Sequence, residues 1–348
     1  MLRNILIKSL IVLILLTLFT GCNNSKISRY QAEFLNLFDT VTTIIGYARD
    51  ENEFKEYSQF IHDELEIYHK LYDIYNDYEG INNIKTINKK AGIEPVKVDK
   101  KIIDLLVLGK NLYNDTDGNV NIVFGSVLSI WHDFREDGIN NPESAKIPDI
   151  DVLKEASKHV DINNLIIDEL NSTVYLKDSK MQIDVGAIAK GFATQRVADD
   201  VYKKGFVSGA LSVGGNICTI GIKADNEPWK IGIQNPDMSS EQKNIKLVSL
   251  ENKSLVSSGN YQRYYVAGGI KYHHIINKDT LMPSNYYKSV SILCDDSGLA
   301  DAYSTAAYNM PLEDSMKFIS ELENVEALWI LNDGEIKYSE NFENYLAE

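Results

Sequence analysis

Three sets of residues in this sequence have the types and spacing to do chemistry. The first is Ile183-Asp-Val-Gly-Ala-Ile-Ala-Lys-Gly-Phe192. It reads as a strand end, a tight turn and a helix start. Gly186 permits an unusual backbone angle, and Ala189, Ala193, Val197 and Val201 then recur at a helical spacing. Gly205, after Lys203 and Lys204, reads as the helix C-cap. A helix N-terminus gathers free N–H groups and partial positive charge, which suits a phosphate, and Lys190 adds a full charge there. On the local pattern alone Lys190 reads equally well as a solvated side chain. The second set is Asp301, Ser304 and Thr305, which share one face of a helix over Leu299–Tyr308. Carboxylate and hydroxyl oxygens suit a hard cation such as Mg²⁺. The same spacing also fits an N-terminal helix Asp and a packed Thr. The third set is His273-His274, adjacent on a strand, so that only one can face a given site.

Other chemistries find no support. There is no His-x-x-x-His or Cys-x-x-Cys spacing for zinc, no Gly-x-Ser-x-Gly elbow, and neither a Walker A loop nor a Gly-x-Gly-x-x-Gly fingerprint. His62, His69 and His159 lie on polar helical stretches and read as surface residues, and His132 follows Trp131 as a core or rim residue.

The elements that must position these groups alternate between helix and strand without repeats. Phe38–Ile45 is rich in β-branched residues and reads as the first strand. Glu51–Tyr72 is an amphipathic helix with Phe60, Ile61, Leu65, Ile67, Tyr68 and Leu71 near its apolar face. Lys100–Tyr113 is a second helix, and a third runs from Gly125 to Trp131. Asn140–Pro148 reads as a surface loop, Leu165–Leu176 as a hairpin about Asn171-Ser172, and Gly209–Asn216 as a strand entering a glycine turn. Trp229–Pro236, Leu247–Ser257, Tyr261–Ala267, Tyr272–Ile276 and Ser289–Cys294 are strand-like. Helices Leu299–Tyr308 and Glu313–Leu322 and a hairpin about Asn332-Asp333-Gly334 close the chain. The fold class is α+β, in one compact catalytic unit.

The N-terminus carries an address. Arg3 and Lys8 flank a short basic region, Leu10–Phe19 is nearly all apolar, and Leu18-Phe-Thr-Gly-Cys22 follows. The apolar run is short for a membrane span, which takes about 20 residues. The segment resembles a bacterial lipobox, with residues 1–21 a signal peptide, Cys22 lipidated, and residues 22–34 a polar tether. The catalytic unit would then be residues 35–340, anchored to the membrane on its extracytoplasmic face. The formal charge of −15 argues against nucleic acid as a partner, which calls for basic patches. Beyond Cys22 only Cys218 and Cys294 remain, both in apolar runs.

The separate motifs fall in one known order. Asp184-Val-Gly-Ala-Ile-Ala-Lys-Gly-Phe192 resembles the Asp-Leu-Gly-Gly-Ile-Ala-Lys-Gly-Tyr motif of the ApbE family of FAD:protein FMN transferases. Leu211–Asn216, Pro228–Ile233, Ser257–Tyr261, Tyr272–Asn277 and Ala300–Ala306 resemble that family's later segments. The resemblance covers about residues 35–335. It implies a T-fold-like arrangement of mixed sheets with packed helices, and a Mg²⁺-dependent reaction. FAD would be split at its pyrophosphate, AMP would leave, and FMN would be joined to a threonine of a partner protein. Carried over by position, the metal ligands would be Asp301, Thr305 and the backbone oxygen of Ala187, with Ser304 a further candidate. Phe38, Tyr75, Asn119, Val120, Asn121, Asp184, Lys190 and Ile275 would contact FAD. His274 would accept the threonine proton or position the pyrophosphate, and His274 and Asp301 would form the catalytic pair. The acceptors would be subunits of membrane redox complexes or electron-transfer lipoproteins. An FAD pyrophosphatase and a non-catalytic flavin-binding lipoprotein are the rival readings.

Several positions depart from the family pattern. Asn121 stands where the family usually has Asp, Asn277-Lys278 replaces Asp-Pro, Leu281 replaces Gly, and Asp39 stands where Gly is typical. They fall on the flavin pocket more than on the metal site.

Overall fold

The computed structural model describes residues 27–347. The stretch expected as a signal peptide, Cys22 as the expected lipidation site and the start of the expected tether lie outside those residues. Two strands come first, β1 (Ser28–Leu37) and β2 (Thr40–Ala48), paired antiparallel from Ser28↔Ala48 to Leu37↔Thr40. The strand expected from Phe38 is therefore the second one, and residues 28–34, expected as tether, belong to β1. Alternate residues of β1, Ala32 and Phe34, are buried in the core, a half-buried strand pattern that its polar neighbours mask in the sequence. Phe38 and Asp39 form the two-residue turn.

Helix α1 (Glu51–Tyr72) is capped by Asp50, whose carboxylate accepts the Glu53 N–H. It buries Phe54, Ile61, Leu65, Tyr68 and Leu71, while Ile67, placed on the apolar face from sequence, is 41% exposed. Helix α2 (Ile84–Lys89) has an Asn83/Thr86 capping box. Strand β3 (Val96–Lys97), α3 (Lys100–Asp115), α4 (Gly125–Asn140) and α5 (Ile150–Ala156) follow. Helix α4 runs nine residues past the Trp131 end expected for it. Arg135 and Glu136 favour helix but Asp137, Gly138 and Asn140 do not, so packing carries the last turn: Gly138 meets the Tyr265 ring so closely that a Cβ would sit 2.4 Å from it. The hairpin β4 (Leu165–Asp168) and β5 (Thr173–Leu176) joins β3 in a small sheet.

Helix α6 (Ala189–Lys203) ends as foreseen: Gly205 has φ +106, its N–H reaches Tyr202, and the Phe206 N–H reaches Val201, a Schellman closure. Next come β6 (Gly209–Val213), β7 (Asn216–Ile220), β8 (Trp229–Gln234), β9 (Asn244–Leu250) and β10 (Ser254–Gly259). The run Leu247–Ser257 is thus two strands, broken where Asn252 takes φ +48. The chain closes with β11 (Tyr264–Ala267), β12 (Ile270–His273), β13 (Tyr287–Cys294), α7 (Ser297–Tyr308), α8 (Leu312–Ser320), β14 (Glu326–Leu331) and β15 (Ile336–Tyr338).

Eight strands form one antiparallel sheet in the order β1-β2-β6-β7-β10-β13-β14-β15. Helices α1, α6 and α7 cover one face. The β8–β9 hairpin and Phe342 cover the centre of the other, around Leu255, Leu293, Leu328 and Ile330. Both faces of β13 and β14 are buried, which is why those strands read as continuous apolar runs rather than alternating ones. A third cluster, with Trp131, Tyr265 and Leu281, joins α4 to the β11–β12 hairpin. Cys218 and Cys294 both align with Ser254 from opposite sides. Two strand spacings, about 9.6 Å, separate them, beyond the reach of a disulfide. Both thiols are free and buried.

Candidate active site

A cavity of about 510 Å³ lies where α6, α7, the α1–α2 loop, the residue 119–124 loop and the β11–β12 hairpin meet. Of the side chains expected to act, Phe38, Tyr75, Asn119, Val120, Asn121, Asp184, Ala187, Lys190, His274, Ile275, Asp301 and Thr305 all line it. Ser304 does not. It is fully buried, its hydroxyl donates to the Asp301 carbonyl at 2.9 Å, and it sits 2.9 Å from Ser258 Oγ.

The floor is built from two helices pressed together by a glycine. A Cβ on Gly191 would fall 2.2 Å from the Ser297 carbonyl oxygen and 2.6 Å from Asp301 Cβ. Without that Cβ, α7 comes close enough for Asp301 Oδ2 to accept the Gly191 N–H at 2.9 Å and to lie 3.9 Å from Lys190 Nζ. The Asp301 carboxylate therefore caps the first turn of α6 and takes the Gly191 N–H at the helix end expected to face a phosphate. Asp301 is 5% exposed. Burial raises its pKa, against the opposing pull of Lys190 and the Gly191 N–H. Thr305, one turn on, presents its hydroxyl to the same cavity, 3.5 Å from Ser258 Oγ.

The turn before α6 is clamped from both sides. Asn88 on α2 donates to the Ile183 carbonyl at 2.9 Å and accepts the Ile183 N–H at 2.7 Å. The Asp184 N–H donates to the Ile122 carbonyl, and its carboxylate accepts the Gly186 N–H at 2.8 Å. Gly186 does not take a left-handed angle. A glycine serves there because a Cβ would stand 3.0 Å from Asp184 Oδ1. Burial raises the Asp184 pKa, with the Gly186 bond opposing.

His273 and His274 divide as the strand alternation requires. His273 turns inward, where the Ile275 N–H donates to Nδ1 and Nε2 lies 2.6 Å from the Ser284 carbonyl. His274 faces the cavity, with Nδ1 3.3 Å from the Arg263 carbonyl. A carbonyl only accepts, so Nδ1 carries the proton and Nε2 keeps its lone pair. Burial, with Arg263 and His273 adding to it, pushes the His274 pKa down to about 3. The imidazole is neutral at neutral pH, as a proton acceptor must be.

The opposite wall is aromatic and strained. Phe38 and Asp39 have φ of +53° and +52°, the angles a two-residue hairpin turn demands but non-glycine residues resist. Each costs about 1 kcal/mol. His69, expected on the surface, holds this turn: its Nδ1 accepts the Phe38 N–H at 3.2 Å, and its ring meets Phe38 edge-on. Tyr75 stacks on His132 with ring centres 4.8 Å apart, and Arg135 Nη2 lies 2.7 Å from His132 Nδ1. The other histidines read as surface also have partners: His62 packs against Phe34, and His159 pairs with Asp178 at 2.7 Å.

Sequence reasoning missed Gly191, His69, Arg135 and Arg263. Gly191 stood inside the leading motif. Arg135 lies three residues after His132 on one helix face. Arg263 follows the Ser257–Tyr261 motif by two positions and joins Arg135 and Lys190 in the cavity wall. Three of the departures noted above have partners that fit them, while nothing in the structure explains Asp39 or Lys278. Asn121 donates to the Val160 carbonyl at 3.0 Å, a bond an Asp cannot make, and accepts the Val123 N–H. Asn277 Oδ1 accepts the Asp279 and Thr280 N–H groups while its amide donates to the Asn309 carbonyl. Leu281 takes φ +59, and it is buried beside Trp131, which donates to its carbonyl.

Among the described residues no three His, Cys, Asp or Glu side chains converge to cage a metal. The donors that do share the cavity are hard oxygens: the Asp301 carboxylate, the Thr305 hydroxyl and the backbone at Ala187. Such a set fits a cation that takes few protein ligands and completes its shell with phosphate and water.

The chain is similar in sequence and fold to known proteins. The chain is 32% identical to a FAD:protein FMN transferase of Treponema pallidum over 270 residues, covering 74% of this chain and 72% of that protein. It is 26% identical to one from Klebsiella pneumoniae over 285 residues, covering 80% and 85%. The crystal structure of an ApbE protein from Thermotoga maritima superposes with a TM-score of 0.81 at 27% identity, over 92% of this chain and all of that one. The flavin transferase ApbE of Vibrio cholerae shares the fold, with a TM-score of 0.76 at 22% identity, over 92% and 100%. The profile of the ApbE family matches residues 38–329, and this chain belongs to the ApbE family.

Proposed function

We propose that this protein is a Mg²⁺-dependent FAD:protein FMN transferase, anchored through Cys22 on the extracytoplasmic face of the membrane. The observation that carries this reading is the convergence of Asp301, Lys190, Thr305 and neutral His274 on one cavity with an aromatic far wall. Its volume, about 510 Å³, falls in the range of small-molecule and cofactor sites. The names of the relatives support the same activity.

In this reading the flavin ring lies toward Phe38, Tyr75 and Ile275, and the pyrophosphate lies over Lys190. A threonine hydroxyl of the partner attacks the FMN phosphorus. A new O–P bond forms, the bridging P–O bond breaks, and AMP leaves with the bond's electrons. His274 Nε2 accepts the hydroxyl proton. Lys190, with Arg135 and Arg263, offsets the negative charge that builds on the phosphate oxygens. Asp301, Thr305 and the Ala187 carbonyl would hold Mg²⁺, which supplies Lewis-acid stabilisation of those same oxygens when bound.

The test is to incubate the full chain with FAD, Mg²⁺ and candidate extracytoplasmic acceptor proteins, and to measure AMP and protein mass. A covalent FMN mass increment on a threonine, matched by AMP, is the expected result. AMP with free FMN alone would identify a hydrolase, and absence of AMP would leave a flavin binder.

A further inference from the structure

A second cavity, of about 340 Å³, adjoins the first, and the two share Gly214, Ser257 and Gln262 in their walls. Its lining includes Leu255 and Ile217, which pack on the sheet face away from α7, and residues 234–244 of the β8–β9 hairpin. Where the two cavities share a wall lies a strand edge with no ladder partner among the described residues. Strand β10 pairs with β13 from Ser254 to Gly259. On its other side it pairs with β7 only at Ser254 and Leu255, because β7 begins at Asn216, after the Gly214-Gly215 turn.

The hydrogen-bond parity shows which groups the gap exposes. Thr219 N–H on β7 donates to the Lys253 carbonyl, so odd-numbered residues face β7. Asn260 N–H donates to the Lys288 carbonyl, so even-numbered ones face β13. An antiparallel ladder keeps this alternation. The N–H and C=O of Ser257 and Gly259 therefore point into the gap. Beyond them Gly215 is open, since a Cβ there would meet no atom within 4 Å.

We propose that this edge and the second cavity form the docking strip for the acceptor protein. An extended segment pairs with Ser257 and Gly259, continues into the second cavity, and presents its hydroxyl through the gap. The proposal rests on the transferase reading above. Three observations select this occupant. The acceptor must reach the phosphate while FAD fills the first cavity, and the second cavity shares its wall. Unpaired backbone groups on a strand edge recognise extended polypeptide, with an affinity that tolerates different side chains. The strip also lies one residue from the phosphate site, since Ser258, between the two open residues, has its Oγ 3.5 Å from Thr305 Oγ1.

The experiment uses the full chain with FAD, Mg²⁺ and a synthetic ten-residue peptide built around a threonine that wild type labels in an acceptor protein. Ser257→Pro removes the outward N–H and leaves the β13 ladder, since proline is tolerated where the N–H faces away from the sheet. Ser257→Ala removes the hydroxyl that bonds Ser291 Oγ at 2.7 Å and keeps the N–H. Ser257→Pro is expected to raise the peptide KM about tenfold or more, well beyond the change in Ser257→Ala, and to act on the peptide KM more than on FAD affinity. Met238→Trp narrows the second cavity from the exposed hairpin loop without touching β10, and should raise the same KM. If Ser257→Pro does not fold, Met238→Trp decides alone. An unchanged peptide KM in the variants that fold overturns the docking strip. AMP release by wild type with no labelled protein overturns the transferase reading and the strip with it.

Discussion

The two walls of the catalytic cavity are built on different principles. The α6–α7 wall is regular helix packed without slack: Gly191 admits α7, Asp301 caps α6, and Lys190 stands 3.9 Å from that carboxylate. The opposite wall is made of loops, with Phe38 and Asp39 in the left-handed region and Leu281, also left-handed, packed behind it against Trp131. Charge stabilisation needs fixed distances, and two helices in backbone contact supply them. A planar ring needs only a slot of the right width, so loops held by His69, Asn121 and Trp131 suffice. Two of the departures from the family pattern, Asp39 and Asn121, lie on the loop wall, and none lies on the helix wall.

The largest effect that would sharpen this contrast is expected from Gly191→Ala. The new methyl must push α7 away from α6, which should cost about 2–3 kcal/mol of stability. It should also lower FMN transfer by about a hundredfold through misplacement of Asp301. Thermal unfolding and the transfer assay measure the two, and a folded, fully active variant would break the account of this wall.

A smaller effect is expected from pH, acting through His273 at the end of β12, behind the cavity. His273 is buried, and burial lowers its pKa to about 4, only partly opposed by its bond to Ser284. The unfolded chain binds a proton near pH 6.5, and the folded chain resists it until about pH 4. The unfolded state therefore holds more protons between these values, and stability falls as pH falls through that window. The loss from this residue is about 3 kcal/mol at most. Denaturant midpoints between pH 7 and pH 4 should show it, and His273→Gln should flatten the slope.

The smallest effect is expected from Asn121→Asp, which restores the residue the family usually carries. The Val160 carbonyl loses its donor, so stability should fall by about 1 kcal/mol, while transfer stays within about twofold of wild type. A large change in turnover would give Asn121 a chemical role and erase the contrast between the walls.

The helix wall was largely legible in the sequence because its signals are local. The four-residue spacing of Ala189, Ala193, Val197 and Val201 placed α6, Gly205 ended it, and the i, i+4 pair Asp301/Thr305 shared a face as expected. What stayed hidden was long-range. Nothing near Gly191 announces Ser297, and the carboxylate that takes the Gly191 N–H arrives from 110 residues away. Ser304 shares the helical spacing of the active pair, yet its hydroxyl is spent on the Asp301 carbonyl. The loop wall was visible only through resemblance to the family, since the φ of Leu281 and the histidine clamp on Phe38 have no periodicity. The strand β1 was lost for a related reason, as its exposed polar residues read like tether.

The function proposed above makes Asp301 on the helix wall the charge on which Mg²⁺-dependent FAD cleavage rests. Its most direct test is AMP release from FAD during Mg²⁺ titration of wild type and Asp301→Asn, with flavin fluorescence reporting that both still bind FAD. The account predicts saturable activation of wild type by Mg²⁺, and in Asp301→Asn a rate lower by about a thousandfold with no response to Mg²⁺. Mg²⁺-dependent AMP release by Asp301→Asn at a rate near wild type would contradict it.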